Sequence, residues 1–456
     1  MSTPDRLDPS IADRRTFLRR GAMGAGALWM FSLAELAARR PYGPVGIASP
    51  YGPPSPKLDE TTGLALLSLP DGFRYLSYAW TGDRLSDGTI CPGAHDGMAV
   101  VTQTPGSSEL VLVRNHEMPP GAAFSTDATI VYDQAGGGGT TNLTFDAAAG
   151  RWLRSWVSLA GTNVNCAGGV TPWGTWLTCE EVGAQHGHGF IFEVGAERGD
   201  RRPLEAMGRY SHEAVMVDPD TGDVYETEDA AETSGFYRFV PHVRGDLHQG
   251  GDLYMLKVRS QPNVDMGVGY AIGTTWDVDW VRIDDPLALT RSTFAQGRLK
   301  GAARFQRLEG AWWGDRVGYF ISTSGGAEQC GQVFEIDPRA QTLRLIYESP
   351  RADQCDYPDN VTVSPRGGLL LCEDSGNAAS ANERLIGLTL HGETFTFAAN
   401  NAMLRTNHNP VVTAQDYRTS EFAGACYSPD GRWLFVNMQR PGITFAITGP
   451  WGKGML

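Results

Sequence analysis

Carboxylates, amides and one cysteine recur in this sequence at the two ends of short hairpin-like units. Each unit begins with a polar group, runs through small or apolar residues to a turn, and returns through an apolar strand to further polar residues. Clustered carboxylate oxygens suit Ca²⁺, whereas a cysteine thiolate suits iron, zinc or copper. The polar ends of the six units are His95-Asp96 with Asn115-His116-Glu117, Asn165-Cys166 with Glu180-Glu181, His212-Glu213 with Glu228-Asp229, Glu309 with residues 322–326, Asp359-Asn360 with Glu373-Asp374, and Glu421 with Asn437 and Gln439. The pattern indicates a metal site assembled from many units.

The elements that would position these residues are antiparallel hairpins. A hairpin places the start of its first strand beside the end of its second, so each unit gathers its polar groups at its open end. Six hairpins arranged radially would bring all six open ends to one rim, as in a β-propeller. The sequence therefore predicts an all-β, six-bladed β-propeller with loop insertions, the largest of them within residues 230–303. Carboxylates facing one axis would repel each other and raise their pKa values unless cations were bound.

The composition agrees with a chain of many short strands. Among 456 residues there are 56 Gly and 27 Pro, while 10% of the residues are aromatic, including 12 Trp. Frequent turn formers favour short strands, and the aromatic content excludes an intrinsically disordered chain. The net charge of −14 argues against a nucleic-acid-binding protein, which needs a basic surface.

The N-terminal segment has the features of an export signal. Arg14-Arg15 with Phe17-Leu18 precedes a weakly apolar stretch at 21–33, which is shorter than the ~20 residues needed to cross a bilayer. This segment resembles a twin-arginine signal, the alternative being an amphipathic helix. We therefore expect an exported, periplasmic or extracellular monomer that uses the twin-arginine export machinery. The predicted divisions are a signal peptide at 1–38, a Pro-rich linker at 39–57 and a single propeller domain at 58–456.

Several linked motifs resemble those of the PhoX-type alkaline phosphatases. The first is residues 165–181, which read NCAGGVTPWGTWLTCEE, and the second is residues 208–213, GRYSHE. Residues 307–313 form a third block, and Asp359-Asn360 and residues 435–437 match later ones. The resemblance spans roughly residues 64–447. Two features depart from the family pattern: the chain is short, and Gln185-His186-Gly187-His188 follows the Glu-Glu pair.

The resemblance implies a metal centre and roles for particular residues. Members of this family are expected to hold two ferric ions and three calcium ions around a bridging oxo group. By resemblance, Cys166 would be the iron thiolate ligand, Glu213 and Glu309 would bind iron, and Arg307 would hold the phosphate. Glu181, Asp229, Asp359 and Glu421 would be the further acids around the iron and calcium ions. Adjacent candidates that the pattern does not rank are Glu180, Glu228, Glu373 and Asp374.

The leading functional hypothesis is an exported, metal-dependent alkaline phosphatase that hydrolyses small phosphomonoesters. The very slow uncatalysed reaction demands strong charge stabilisation, which clustered metals and an arginine fork can supply. Two alternatives remain open at this point. One is a calcium-dependent propeller lactonase or phosphotriesterase, which would need the acids but no thiolate. The other is a non-catalytic periplasmic propeller whose metals brace the blades.

Overall fold

The computed structural model describes residues 46–103, 106–184, 187–375, 382–389 and 391–456. The predicted signal peptide at 1–38 lies outside this part of the chain, as do the first residues of the predicted linker and Gln185-His186. No helix in the described part is both long and apolar enough to cross a membrane.

The described residues form short strands with very little helix. The first strands in chain order are β1 (Ser55–Lys57), β2 (Leu67–Leu69), β3 (Arg74–Tyr78), β4 (His95–Gln103), β5 (Glu109–His116), β6 (Gly138–Asp146), β7 (Arg151–Thr162), β8 (Asn165–Val170), β9 (Trp176–Glu180), β10 (Ile191–Val194), β11 (His212–Val217), β12 (Val224–Glu228) and β13 (Phe236–Pro241). They are followed by β14 (Gly251–Val258), β15 (Thr275–Arg282), β16 (Leu308–Trp313), β17 (Gly318–Ser322), β18 (Gln332–Asp337), β19 (Thr342–Glu348), β20 (Pro358–Val363), β21 (Leu369–Glu373), β22 (Arg384–Leu388), β23 (Thr394–Asn400), β24 (Phe422–Tyr427), β25 (Leu434–Met438) and β26 (Ile443–Thr448). The helical pieces are α1 (Thr293–Leu299) and 3-10 turns at Glu205–Met207, Leu247–Gln249 and Trp451–Lys453.

The strands form antiparallel sheets arranged as a propeller. The sheet orders are β4-β5-β6-β7, β8-β9-β10, β11-β12-β13-β14-β15-β19-β18-β17-β16, β20-β21-β22-β23-β2-β1, and β24-β25-β26-β3. The first strand of each hairpin unit contacts the first strand of the next, in the closed ring β4, β8, β11, β16, β20, β24. This ring confirms the predicted all-β propeller and brings the six hairpin units to one axis. The hydrogen-bonded sheets number five because β15 pairs with both β14 and β19 and so joins the third and fourth units.

The ring is closed by a strand from the N-terminal side of the chain. β3 pairs with β26, so residues before the first unit complete the sheet of the last unit.

The folded domain begins earlier than the predicted boundary at residue 58. β1 pairs with β2, and Tyr51 is 3% exposed, packed edge-on against Phe73 and Phe397. The last residues of the predicted linker are therefore part of the folded domain, because Tyr51 packs into an aromatic cluster with Phe73 and Phe397 and because β1 pairs with β2.

The cores lie between the sheets, as expected for strands whose two faces are both covered. β21, for example, is buried along its whole length, and its residues alternate between two apolar clusters.

The close approach of neighbouring inner strands depends on glycine. A Cβ added at Gly97 would lie 2.6 Å from the Ala167 Cα, and one at Gly310 would lie 2.6 Å from the Asp359 carbonyl oxygen. These glycines follow Asp96 and Glu309, so neighbouring inner strands approach each other closely beside these polar residues.

Candidate metal centre

A polar cavity of about 540 Å³ lies where the inner strands begin. Every inner strand contributes to it, directly or through the residue just before it. The lining residues are Asp96, Glu117, Cys166, Glu181, Glu213, Arg307, Glu309, Asp359, Asp374, Gln415, Asp416, Tyr417, Thr419, Ser420, Glu421, Gln439 and Arg440. Of the predicted site residues, all except Asp229 line this cavity.

A break in strand register occurs at the same place in all six inner hairpins. The interruptions fall between His95 and Met98, Asn165 and Gly168, His212 and Val215, Leu308 and Ala311, Pro358 and Asn360, and Ala423 and Cys426. A β-bulge leaves one residue unpaired and re-aims its side chain, and such bulges are frequent next to active sites. Five of the six irregularities contain a cavity residue, namely Asp96, Cys166, Glu213, Glu309 and Asp359. The bulges therefore direct these side chains to the axis.

Three groups of side chains could each hold a metal ion. They are Cys166 with Glu181 and Glu213, Asp96 with Glu117 and Glu421, and Glu213 with Glu309 and Asp359. Within each group the possible ligand atoms lie within 4.8 Å of one another. Glu213 belongs to two groups, so those two groups are adjacent. The donor chemistry differs, since one group includes a thiol and the other two offer only carboxylate oxygens.

Burial and mutual repulsion favour the neutral form of these acids. Burial, followed by nearby carboxylates, raises the pKa of Glu181, Glu213 and Glu309 well above the ordinary value. The same two causes raise the pKa of Asp359 to about 6, and burial raises that of Glu117 to about 7. Burial and the Glu213 charge also raise the pKa of the Cys166 thiol. A cation would reverse these shifts, because a positive charge favours the ionised ligand.

The cavity acids are paired with each other as well as repelling each other. The neighbouring side chains that shift each other's pKa values are Asp96 with Glu117, Glu181 with Asp229, Glu309 with Asp359, and Cys166 with Glu213. Each pair can hold a proton between two acidic groups. The arrangement suits a centre in which metal ions take the place of those protons.

Arg307 is fixed at the cavity by two carboxylates. Its Nε and Nη2 atoms donate to Asp229, and Nη2 also donates to the Glu309 Oε1 atom at 2.5 Å. Burial lowers the pKa of Arg307, but the charges of Glu309 and Asp229 outweigh it and raise the pKa overall. Asp229 therefore lies behind the arginine and belongs to none of the three candidate metal groups. Its observed contacts are those of a residue that orients Arg307.

The adjacent acids that the sequence could not rank separate clearly in the structure. In the Glu180-Glu181 and Glu373-Asp374 pairs, the second residue lines the cavity and the first is directed away from it. Glu180 accepts hydrogen bonds from the backbone N–H groups of Asn163, Gly189 and Phe190, and it contacts His188 Nδ1 at 2.6 Å. His188, in the segment that departs from the family pattern, thus supports a buried glutamate.

Glu373 and Glu228, the first residues of the other two acidic pairs, also accept hydrogen bonds from nearby donors. Glu373 forms a bidentate pair with Arg384 at 2.6 and 2.7 Å. Glu228 accepts from the Tyr237 hydroxyl at 2.7 Å and from the Gly235 N–H at 3.0 Å. None of the three lines the cavity.

Sequence reasoning missed several cavity residues. Asp96 and Glu117 lie at the ends of the first repeated unit and were visible as such, but they were not carried into the predicted ligand set. Asp374 was an unranked neighbour of Glu373. Gln439 was named at the polar end of the sixth unit, but Arg440 and the wall at 415–420 carried no signal, because they lie in connections outside the repeated strands.

Comparisons with known proteins agree with this geometry. A sequence family described as alkaline phosphatase PhoX matches residues 49–442. The chain resembles the structure of PhoX from Pseudomonas fluorescens in complex with vanadate, a transition state analogue, with a TM-score of 0.64 and 16% identity over 90% of this chain and 99% of that one. It also resembles a gluconolactonase from Xanthomonas campestris at a TM-score of 0.40 and 14% identity, over 90% of this chain and 99% of that one. At these identities the structural matches concern the fold alone. No curated protein matches the chain by sequence.

Proposed function

We propose, from the premise that this chain belongs to the PhoX family of alkaline phosphatases, that it hydrolyses phosphomonoesters in the axial cavity with iron and calcium bound there. The observation that supports the proposal is the convergence of three ligand groups on one cavity, one of which includes a buried thiol. A lactonase, a phosphotriesterase or a purely structural propeller has no need of that thiol.

The donor atoms of each group indicate which metal ion it would hold. Cys166, with Glu181 and Glu213, provides one soft and two hard ligands, which suits iron. Asp96, Glu117 and Glu421 provide only oxygen, which suits calcium. The group of Glu213, Glu309 and Asp359 shares a carboxylate with the thiol-containing group, and we assign iron to it as well. The count of two ferric and three calcium ions follows from the family resemblance.

In this proposal, Arg307 binds the phosphate, and Asp229 and Glu309 orient Arg307. Bound metal ions supply Lewis-acid chemistry to the phosphoryl group. Arg307 uses Nε and Nη2 on its carboxylate partners, which leaves the Nη1 donors without a partner among the described residues and directed to phosphate oxygens. Asp229 and Glu309 fix the guanidinium plane, so the orientation of Arg307 is established before the substrate binds.

The proposal is tested through the thiol. In protein purified from its native export route, elemental analysis should find iron and calcium, and a visible thiolate–ferric absorption band should be present. Cys166→Ser should abolish the band and reduce phosphomonoesterase activity by roughly 10³-fold, by analogy with loss of a transition-state-stabilising group. Cys330→Ser is the matched control, because Cys330 lies outside the cavity. A Cys166→Ser protein with unchanged iron content and turnover would refute the proposal.

Export by the twin-arginine route belongs to the same proposal. That route carries folded proteins, so the metals can be inserted before the protein reaches the periplasm or the medium. Arg14→Lys combined with Arg15→Lys should retain the protein in the cytoplasm, which cell fractionation measures. We expect the exported protein to be a monomer that acts on small phosphorylated substrates.

A further inference from the structure

Two arginines, Arg307 and Arg440, line the cavity, and they differ in whether they form ion pairs with carboxylates. Arg307 forms ion pairs with Asp229 at 3.0 Å and with Glu309 at 2.5 Å. Arg440 is exposed, and no carboxylate lies within ion-pair distance of it among the described residues. The charge of Arg440 acts on Glu117 and partly offsets the rise in the pKa of that acid, but its guanidinium forms no ion pair among the described residues and can bind a ligand.

The backbone holds Arg440 at a defined position on the wall. Its N–H donates to the Ser420 Oγ atom at 2.8 Å. The preceding residue, Gln439, donates its N–H to the Glu421 carbonyl oxygen at 3.2 Å and its side-chain amide to the Glu117 carboxylate. These contacts tie Arg440 to the outer side of the group formed by Asp96, Glu117 and Glu421.

The wall that carries Arg440 adds uncharged polar residues to an otherwise acidic lining. Ser420 contacts the Arg440 backbone, and the same segment contributes Gln415 and Thr419 to the lining. The acid in this segment, Asp416, is neutralised by a bidentate pair with Arg418 at 2.7 and 2.9 Å. This part of the wall thus offers a cation and neutral hydrogen-bonding groups beside the carboxylates that could hold a metal.

The size of the cavity leaves room for a substrate larger than a phosphate ion. Pockets of about 300–1,000 Å³ enclose small organic ligands, and this one measures about 540 Å³. With the phosphoryl group at the metal ligands and Arg307, a leaving group that extends toward the wall at 415–420 would meet Arg440, the cation on that wall that forms no ion pair among the described residues.

We propose that Arg440 binds a second anionic group on the leaving group, so that the preferred substrates are phosphomonoesters that carry a further phosphate or carboxylate. This inference rests on the proposed phosphomonoesterase function and adds a substrate class to it. Arginine suits both anions because its planar fork donates two parallel hydrogen bonds. Arg440 acts in binding only, and the reaction at the phosphoryl group is the same for all substrates.

Three matched substrates test the proposal with the metal-loaded, full-length protein. Glycerol 2-phosphate has a neutral leaving group, 2-phosphoglycerate adds a carboxylate, and glycerol 1,2-bisphosphate adds a phosphate. For the wild type we expect KM for the two anionic substrates to be about tenfold lower than for glycerol 2-phosphate, the value of one charge-assisted hydrogen bond. Arg440→Ala should remove this preference with little change in kcat, and Arg440→Lys should restore part of it.

Arg432→Ala is the matched control, because Arg432 is an exposed arginine at the opposite end of the same hairpin and is paired with Asp430. It should keep the substrate preference of the wild type. The proposal is overturned if the wild type shows no preference for an added anion, or if Arg440→Ala changes the three KM values equally. A preference for only one of the two anionic substrates identifies the anion and supports the proposal. If the wild type hydrolyses none of the three, the proposed function fails and the inference fails with it.

Discussion

Two sets of buried acids lie next to each other in this protein and have opposite surroundings. The supporting acids, Glu180, Glu228 and Glu373, accept hydrogen bonds from backbone N–H groups, a tyrosine, a histidine or an arginine. The cavity acids mainly face one another, although Glu309 also accepts from Arg307 and Glu117 from Gln439. They are Asp96, Glu117, Glu181, Glu213, Glu309, Asp359 and Glu421.

The difference shows that residue type alone does not decide the role of a buried glutamate. Glu180 and Glu181 are neighbours in sequence, yet the first stabilises the connection between strands and the second belongs to a candidate metal group. A buried charge is tolerated when donors surround it, and otherwise it shifts its pKa or binds a cation. Changing one member of each set should therefore have separable consequences for stability and for activity.

The largest effect is expected from a cavity acid that two groups share. Glu213→Gln should lower kcat/KM by roughly 10³-fold, because it weakens both the thiol-containing group and its neighbour. The same change should leave the metal-free protein at least as stable as the wild type, since it removes one source of repulsion. Phosphatase assays, elemental analysis and urea unfolding in the presence of a chelator measure these quantities. A marked loss of stability in the metal-free protein would place Glu213 among the supporting acids.

A supporting acid should show the reverse pattern. Glu373→Gln leaves the Arg384 guanidinium, which is 15% exposed, without its carboxylate. Breaking such a pair is expected to lower the free energy of unfolding by about 3 kcal/mol, measured by urea denaturation. Metal content and kcat should be retained in the fraction that remains folded. Loss of metal without loss of stability would contradict the division between the two sets.

The smallest effect is expected from pH alone. The pKa of Glu117 rises from 4.5 to about 7 and that of Asp359 from 3.8 to about 6 in the folded, metal-free protein, chiefly through burial. Acids with raised pKa values stabilise the fold fully below their unfolded values, and this contribution is lost as the pH rises through the folded values. Chelator-treated protein should therefore lose on the order of 2 kcal/mol of stability from each of these two groups between pH 5 and pH 8. Added Ca²⁺ should restore it at pH 8, and a stability that instead rises with pH would contradict this account.

The repeated hairpins were enough to predict the ring, because each carries an apolar strand after its turn and polar ends that mark its open side. The sequence did not reveal which residue of each acidic pair faces the cavity. That choice depends on where a strand ends and on a register shift in its partner, and neither leaves a mark in residue type. Asp374 over Glu373 is the clearest example, whereas the family resemblance had already selected Glu181 over Glu180.

Other parts that sequence reasoning missed lie outside the repeated strands. β1 follows a run of prolines, which is typical of a linker, yet it is held by pairing with β2. Arg440 and the wall at 415–420 belong to connections whose conformation is set by tertiary contacts such as the hydrogen bond to Ser420. A loop of this kind has no periodicity from which its position could be inferred.

The closure of the ring by β3 and β26 has a consequence for the order of assembly during synthesis. Asp96 and Glu117 leave the ribosome among the first units, whereas Glu421 arrives with the last, and the three meet only when the circle is complete. This ligand group cannot exist on a nascent or C-terminally truncated chain, however well the earlier sheets have folded. A cation captured there ties the first unit to the last, so occupancy of this group reports that the whole chain has been made and closed.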